Sequence, residues 1–85
     1  MFYVYLLENQ SDKSWYIGFT ANLKERIKQH QLGYGARTTQ RKHGWKIIYS
    51  EIYVNKEDDT GREKFLKSGS GRKYLKKQLR NYLKF

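Results

Sequence analysis

The sequence predicts an α+β domain in which a three-stranded antiparallel sheet carries packed helices. Two observations lead to this fold class. Three short segments are rich in aromatic and β-branched residues, as strands are, and the intervening segments have helix caps and helical periodicity. The predicted element order is β-β-α-β-α-α. Because a chain of 85 residues buries only about 64% of its unfolded surface, we expect one domain over residues 1–85 with a small core.

The first two strands form a predicted hairpin. "FYVYLL" at 2–7 and "WYIGF" at 15–19 are mainly aromatic and aliphatic, and the polar segment "ENQSDKS" between them is typical of a turn. The remaining predicted elements are a helix at 21–31, a strand at 45–54, a helix at 55–67 and a helix at 72–83.

Capping residues set the predicted helix boundaries. Thr20 is a natural N-cap for the first helix, and Gly33 is expected to end it. Asn55 caps the second helix, which has acidic residues in its first turn, where the helix dipole favours them. The glycine-rich segment at 68–71 is predicted to separate the last two helices.

Side-chain alternation in the hairpin places tyrosines on a shared face. Tyr3, Tyr5 and Leu7 lie on one side of the first strand, and Tyr16 and Gly18 share a side of the second. If the register brings these sides together, phenols cluster beside a glycine, which leaves room for another group to approach the backbone. For any single tyrosine, ordinary packing is the simpler interpretation.

The first helix carries an arginine and a histidine near its buried face. At about 100° per residue, Leu23 and Ile27 form the inward stripe, and Arg26 and His30 lie at the edge of the same arc. Such polar groups are costly to bury unless they are paired or engage a ligand. The structural alternative is that Arg26 extends to a nearby carboxylate and His30 closes an edge of the core.

The charge of the chain favours a polyanionic partner. Eighteen Lys and Arg residues face eight Asp and Glu residues, which gives a net charge of +10. In the last helix, Leu75, Leu79, Tyr82 and Leu83 form a predicted apolar stripe. The predicted nucleic-acid contacts are the basic residues Lys73, Lys76, Lys77, Arg80 and Lys84. A solvated basic face is the simpler alternative.

Composition excludes several other classes of protein. There is no cysteine, so disulfides and thiolate metal sites are excluded, and a reducing cytoplasm fits this composition. No run approaches the roughly 18 apolar residues of a membrane span, and the first residues lack the basic lead-in of a signal peptide. We therefore expect a soluble, cytoplasmic protein without membrane partners.

The motifs add up to a family resemblance. "YVY" at 3–5, "YIG" at 16–18, the arginine and histidine four residues apart, and the acid in "REKFLKSG" follow one another in order. This set resembles the GIY-YIG nuclease superfamily, particularly its small bacterial members related to the nuclease domain of the excision-repair endonuclease. The resemblance covers essentially the whole chain and implies catalytic roles for Tyr5, Tyr16, Arg26, His30 and Glu63.

The resemblance also implies how these residues divide the chemistry. Tyr5 would activate water, which requires a nearby cation to lower its pKa from about 10. Tyr16 would hydrogen-bond the phosphate or the water, Arg26 would bind phosphate, and His30 would relay a proton. Glu63 would bind one Mg²⁺ or Mn²⁺ ion, weakly in the absence of substrate because it is the one protein carboxylate available.

This sequence departs from the family pattern at a few positions. Tyr3 and Val4 replace the glycine and isoleucine of the first motif. The loop at 35–43 has Thr38 where many relatives carry a tyrosine, and Asn81 matches a polar family residue in a loose register. No role follows for Asn81 or for this loop.

We expect a metal-dependent endonuclease that hydrolyses DNA in repair or processing, acting as a monomer or weak dimer. The substrate form stays open among branched, flap, single-stranded and duplex DNA, and RNA is also open. Two other classes remain: a non-catalytic basic DNA- or RNA-binding module, and a structural or partner-binding protein in which Arg26 and His30 are paired. A lone acid such as Glu63 within the most basic segment argues against a pure phosphate binder.

Overall fold

A computed structural model describes residues 1–32 and 42–84. It confirms the predicted fold class and element order, with a three-stranded antiparallel sheet of strand order β2-β1-β3. The strands are β1 (Phe2–Asn9), β2 (Trp15–Thr20) and β3 (Trp45–Tyr53). The helices are α1 (Leu23–Gln31), α2 (Lys56–Leu66) and α3 (Gly69–Gln78), followed by a 3₁₀ turn at Tyr82–Lys84.

The register of the hairpin confirms the predicted tyrosine face. Tyr5 on the central strand pairs with Gly18, and Leu7 pairs with Tyr16. Because paired residues project to the same side of an antiparallel sheet, the two motifs meet on one face.

The helices cover both faces of the sheet. On one face, Leu23 of α1 packs against Tyr5, Leu7 and Trp45. The other face holds a second cluster, formed by Val4, Leu6, Ile17, Leu66 and Leu75 together with α2 and α3. The polar groups of α1 are therefore pressed against the side of the sheet that carries the tyrosine motifs.

Strand β1 runs two residues further than the sequence predicts. Glu8 and Asn9 belong to the strand and are buried, although the sequence places them in the turn. The side-chain amide of Asn9 donates to the carbonyl of His43 at 3.0 Å, and its oxygen accepts from the backbone N–H of Ser11 at 3.0 Å and of Asp12 at 3.2 Å. These bonds satisfy the buried side chain and begin the turn after it.

The N-cap of α1 is Asn22 and not Thr20. The side chain of Asn22 accepts a hydrogen bond from the backbone of Glu25 at 3.2 Å. The hydroxyl of Thr20 accepts from the backbone of Asn22 at 3.1 Å and so fixes the chain just before the helix. Asn55 caps α2 as predicted, and the predicted stop at Gly33 lies outside the described residues.

The segment at 68–71 starts a helix, which corrects the predicted break. Ser68 is the N-cap of α3 and accepts from the backbone of Gly71 at 3.1 Å. A Cβ atom on Gly71 would collide with the backbone of Phe65 and Leu66, so this glycine lets α2 and α3 approach closely.

The predicted apolar stripe of the last helix is also shorter than expected. Because α3 ends at Gln78, Leu79 is its C-cap, and Tyr82 and Leu83 lie in the 3₁₀ turn with exposed fractions of 38% each.

Candidate active site

A hydrogen bond between Tyr5 and His30 lies at the centre of the site. The phenol oxygen of Tyr5 and Nε2 of His30 are 2.9 Å apart, and both side chains are only 1% exposed. Tyr5 comes from the central strand and His30 from the last turn of α1. The structure therefore brings together a strand residue and a helix residue that lie 25 positions apart, and the expectation that His30 faces the sheet is confirmed.

Tyr16 completes an aromatic triangle with these two residues. Its ring centroid lies 5.2 Å from that of His30 and 6.3 Å from that of Tyr5. A Cβ atom on Gly18 would come within 2.5 Å of the Tyr5 hydroxyl. The space beside this glycine is therefore used by the Tyr5 phenol, because only a residue without a side chain allows the ring to cross here.

Arg26 approaches the same group from α1. The presence of its guanidinium lowers the pKa of Tyr5, and its positive charge also lowers that of His30. One guanidinium nitrogen donates to the side chain of Gln29 at 3.0 Å. Within residues 1–32 and 42–84, Arg26 forms no ion pair with a carboxylate, so its charge is available to an anion.

The electrostatics of the site differ from the sequence-based expectation for Tyr5. Burial raises the pKa of Tyr5 to about 12; Arg26 lowers it, and Tyr16 and Glu63 raise it further. The cation that should lower this pKa is therefore present, but desolvation outweighs it. Burial, with a smaller contribution from Arg26, lowers the pKa of His30 to about 4. At neutral pH the hydrogen bond joins a neutral phenol to a neutral imidazole.

Glu63 lies on α2, at the margin of this group. Its side chain is 15% exposed, and its Oε2 atom is 3.2 Å from Nζ of Lys67, one helical turn later. Its negative charge raises the pKa of Tyr5, which places the carboxylate within electrostatic reach of the phenol. Of the five residues that the resemblance singles out, the four other than Tyr5 therefore each contact Tyr5 or shift its pKa.

Asp59 is an acidic residue that sequence reasoning missed as a site candidate. It precedes Glu63 by one turn of α2 and is fully buried, and neither carboxylate oxygen has a hydrogen-bond partner among the described residues. Burial raises its pKa, and the charges of Glu63 and Glu51 raise it further. The i,i+4 spacing of Asp59 and Glu63 on one helix face was the available signal.

The carboxylates of α2 are the donors on which a divalent cation would depend. Carboxylate oxygens are the ligands that Mg²⁺ and Mn²⁺ prefer, and the unpartnered oxygens of Asp59 belong to a residue one helical turn before Glu63. These residues fit a hard cation. In the part of the chain that the structure describes, no group of three or more His, Cys, Asp or Glu side chains is arranged to hold a metal ion.

The predicted nucleic-acid residues do not form a single helical stripe. Lys73, Lys76 and Lys77 are exposed on α3, whereas Arg80 and Lys84 lie beyond its end. Arg80 donates back to the carbonyl of Lys77 at 3.3 Å. The helix is too short to align all five, so the stripe is divided.

Two further positions can be placed in part. Asn81 is exposed in the turn after α3. Most of the 35–43 loop, including Thr38, lies outside the described residues, and its last part is held where Nζ of Lys42 lies 2.6 Å from the carboxylate of Asp12.

Known proteins resemble this chain in sequence. The GIY-YIG catalytic domain family matches residues 1–79. A UPF0213 protein of Clostridium perfringens is 42% identical over 67 residues, which cover 79% of this chain and 71% of that protein. A UPF0213 protein encoded in the ldhD 5′ region of Pediococcus acidilactici is 35% identical over 77 residues, covering 88% and 78% of the two chains.

A solved structure extends this similarity to three dimensions. The solution NMR structure of a UPF0213 protein from Bacillus halodurans matches with a TM-score of 0.55 and 36% identity, over 96% of this chain and 85% of that chain. Among the described residues, no helix has the length and apolar character needed to cross a membrane.

Proposed function

Because the chain belongs to the GIY-YIG family of nuclease domains, we propose that it is a divalent-metal-dependent endonuclease that hydrolyses DNA phosphodiester bonds in repair or processing. The observation that carries the proposal is the convergence of the Tyr5–His30 hydrogen bond, Tyr16 and an arginine without a described carboxylate partner on one face of the sheet. An anionic substrate suits a site whose arginine has no carboxylate partner in the part of the chain that the structure describes.

Hydrolysis of a phosphodiester requires an activated water and stabilisation of negative charge on the phosphate. Arg26 carries a planar, permanently charged guanidinium that suits two phosphate oxygens, and it would stabilise the charge that develops there. Tyr16 is half-buried beside His30, and its hydroxyl would orient the phosphate or the water.

Tyr5 and His30 are the pair proposed to handle the proton. With a pKa of about 12, Tyr5 holds its own proton in the resting site, and the neutral imidazole hydrogen-bonded to it at 2.9 Å is a group that can exchange a proton with it. Tyr5 would first lose its proton to solvent by way of His30, and the phenolate would then take a proton from the attacking water. The buried hydrogen bond keeps both groups in the geometry that this exchange needs.

Glu63 is the residue proposed to hold one Mg²⁺ or Mn²⁺ ion, with water and substrate oxygens completing its ligands. When bound, such an ion supplies Lewis-acid stabilisation of the phosphate and leaving oxygen. Glu63 itself would contribute the charge that retains the cation, and Lys67 would give up its ion pair.

The test is Glu63→Gln, which keeps the shape of the side chain and removes its charge. We expect cleavage with Mn²⁺ to fall by at least about 100-fold, while DNA binding persists or tightens because one negative charge is lost. Glu57→Gln, an exposed acid on the same helix, is the matched control and should cleave normally. The assay should cover flap, branched, single-stranded and duplex DNA together with RNA. Equal cleavage by Glu63→Gln and the parent would overturn the role of Glu63.

The second candidate is a basic nucleic-acid-binding module without cleavage. Two observations favour it. Glu63 already has an ion-pair partner in Lys67, and the raised pKa of Tyr5 keeps the phenol protonated, so neither group needs a metal ion or a substrate to be stable. Binding without cleavage of any substrate in the panel, with Mn²⁺ supplied, would select this candidate.

A further inference from the structure

A groove lies on the face of the sheet opposite the Tyr5–His30 pair. Trp15 and Tyr16 are neighbours on the edge strand β2, so their side chains project to opposite faces. Beside Trp15 is a cavity of about 660 Å³, between the β1–β2 turn and the C-terminal elements. We define this groove by Glu8, Lys13, Trp15, Arg72, Lys76 and Tyr82.

A single buried carboxylate fixes the two aromatic walls of the groove. Glu8 is 4% exposed, and its two oxygens accept hydrogen bonds from the indole N–H of Trp15 at 3.1 Å and from the hydroxyl of Tyr82 at 2.5 Å. The two rings are therefore held in place before any ligand arrives. This arrangement lowers the entropy cost of stacking a planar group against them.

The rim of the groove is cationic. The guanidinium of Arg72 lies over the Trp15 ring, 5.7 Å from the ring centroid, so a base that stacks there would displace it toward the flanking phosphate. Lys76 follows Arg72 by one turn of α3. Lys13 occupies the turn with φ of 62°, a left-handed conformation that costs energy for a residue other than glycine. None of these three cations forms an ion pair within the described ranges.

We propose that this groove binds single-stranded nucleic acid, with a base stacked on Trp15 and the flanking phosphates on Arg72 and Lys76. Fixed aromatic surfaces combined with unpaired cations are the features by which proteins bind single strands without reading their sequence. A strand that crosses the edge strand β2 meets Trp15 on one face and Tyr16 on the other. This inference rests on the proposed function to the extent that the bound strand is part of the nuclease substrate.

The experiment measures binding of a fluorescein-labelled 12-nucleotide oligothymidylate by anisotropy, in EDTA so that no cleavage takes place. Trp15→Leu should weaken binding by roughly 5- to 100-fold, the range expected for one lost stacking contact. The same variant should bind an abasic strand of equal length as the parent does, because only the base contact is removed.

A charge-matched pair of variants separates the groove from the general basic surface. The Arg72→Gln, Lys76→Gln double variant should lose at least about 10-fold more affinity than Lys73→Gln, Lys77→Gln, which removes two charges from the same helix outside the groove. All four side chains are exposed, so these variants test the groove even if Trp15→Leu fails to fold.

Equal losses in the two double variants, or unchanged oligothymidylate binding by folded Trp15→Leu, would overturn the groove. Failure of the proposed function is a different result. A chain that binds through the groove and never cuts in Mn²⁺ keeps this inference and rejects the nuclease, whereas a chain that cuts with an unaltered Trp15→Leu affinity does the reverse.

Discussion

Two polar clusters at the sheet each contain tyrosines, an arginine and a glutamate. They differ in whether the arginine and the glutamate pair with each other. In the first, the carboxylate of Glu51 accepts two hydrogen bonds from Arg62, at 2.8 and 3.1 Å, and one each from Tyr49 and Tyr53. In the second, which contains Tyr5, Tyr16 and His30, Arg26 bonds to an amide and Glu63 pairs with a lysine. The arginine and the acid are left unpaired with each other.

This difference separates a structural network from the cluster that we propose to be catalytic. Burial pushes the pKa of Glu51 upward, but its hydrogen bonds from Arg62, Tyr49 and Tyr53 outweigh burial and leave it lowered. The guanidinium of Arg62 is also enclosed by aromatic rings, 4.6 Å from Tyr74 and 5.1 Å from Phe65. A cluster whose charged and polar groups pair with one another stabilises the fold. A cluster whose arginine and glutamate do not pair with each other can still bind the charged groups of a substrate.

The largest expected contrast is between two tyrosines. Tyr5→Phe removes the phenol oxygen from the proposed catalytic cluster, so the cleavage rate should fall by roughly 10²–10⁴-fold if Tyr5 is the base. Stability should change by no more than a lost hydrogen bond, about 0.5–1.5 kcal/mol. Tyr53→Phe makes the same chemical change in the structural cluster and should lower stability similarly while cleavage is unaltered.

Single-turnover cleavage and thermal unfolding should be measured on the same samples of both tyrosine variants. Full activity in Tyr5→Phe would remove Tyr5 from the mechanism, and DNA affinity should change little because the basic residues supply it.

The two arginines provide the next contrast. Arg26→Gln should lower the cleavage rate by about 10²–10³-fold, the usual effect of removing one group that stabilises transition-state charge, with little loss of stability. Arg62→Gln should instead lower the stability and leave the cleavage rate nearly unchanged, because it leaves the Glu51 carboxylate without its cation in a partly buried site. Rates and unfolding midpoints for both variants check this prediction, and a cleavage defect in Arg62→Gln larger than that in Arg26→Gln would reverse the assignment of the two clusters.

Sequence reasoning predicted the elements that depend on local signals and missed the features that depend on distant partners. Alternation predicted that Tyr5 and Tyr16 face the same side because this requires only the hairpin. Helical periodicity predicted that Arg26 and His30 approach the sheet for a similar reason. The burial of Glu8 was not predictable, because its partner Tyr82 lies 74 residues away.

The direction of the Tyr5 pKa shift was not predictable either. Motif spacing indicates that a cation lies nearby, and Arg26 does lower this pKa, but the amount of solvent removed from the phenol depends on the complete packing of α1 on the sheet. Desolvation depends on the packing of the whole core and cannot be predicted from the sequence motif alone.

The pH dependence of cleavage follows from these pKa values. With the pKa of Tyr5 at about 12, the phenolate fraction rises about tenfold per pH unit through neutral pH. The logarithm of the single-turnover rate should therefore rise with a slope near +1 between about pH 6 and 9, and Tyr5→Phe should flatten it. Because the pKa of His30 is about 4, no break is expected near pH 6.5. A break there would indicate that His30 is the titrating base.

The smallest expected effect concerns Asp59, whose buried carboxylate lacks, among the described residues, the partners that Glu51 has. Because its pKa is raised in the folded state, the folded protein binds this proton more tightly than the unfolded chain does. Stability therefore falls as pH rises from the ordinary aspartate range, near pH 4, through the raised pKa. Asp59→Asn removes this penalty, since a neutral amide costs less to bury than an unpaired charge.

In metal-free buffer at pH 7, Asp59→Asn should unfold at a temperature higher by roughly 4–8 °C, the shift that about 1 kcal/mol produces in a domain of this size. The difference should shrink as pH falls toward and below about 4, because Asp59 then becomes protonated in the folded and in the unfolded state. Asp58→Asn, at the exposed neighbouring position in the first turn of α2, should instead lower stability slightly because it removes a favourable charge from the helix N-terminus. If Asp59→Asn is no more stable than the parent at pH 7, the carboxylate has partners in solution, and the contrast between the two clusters then rests on the arginines alone.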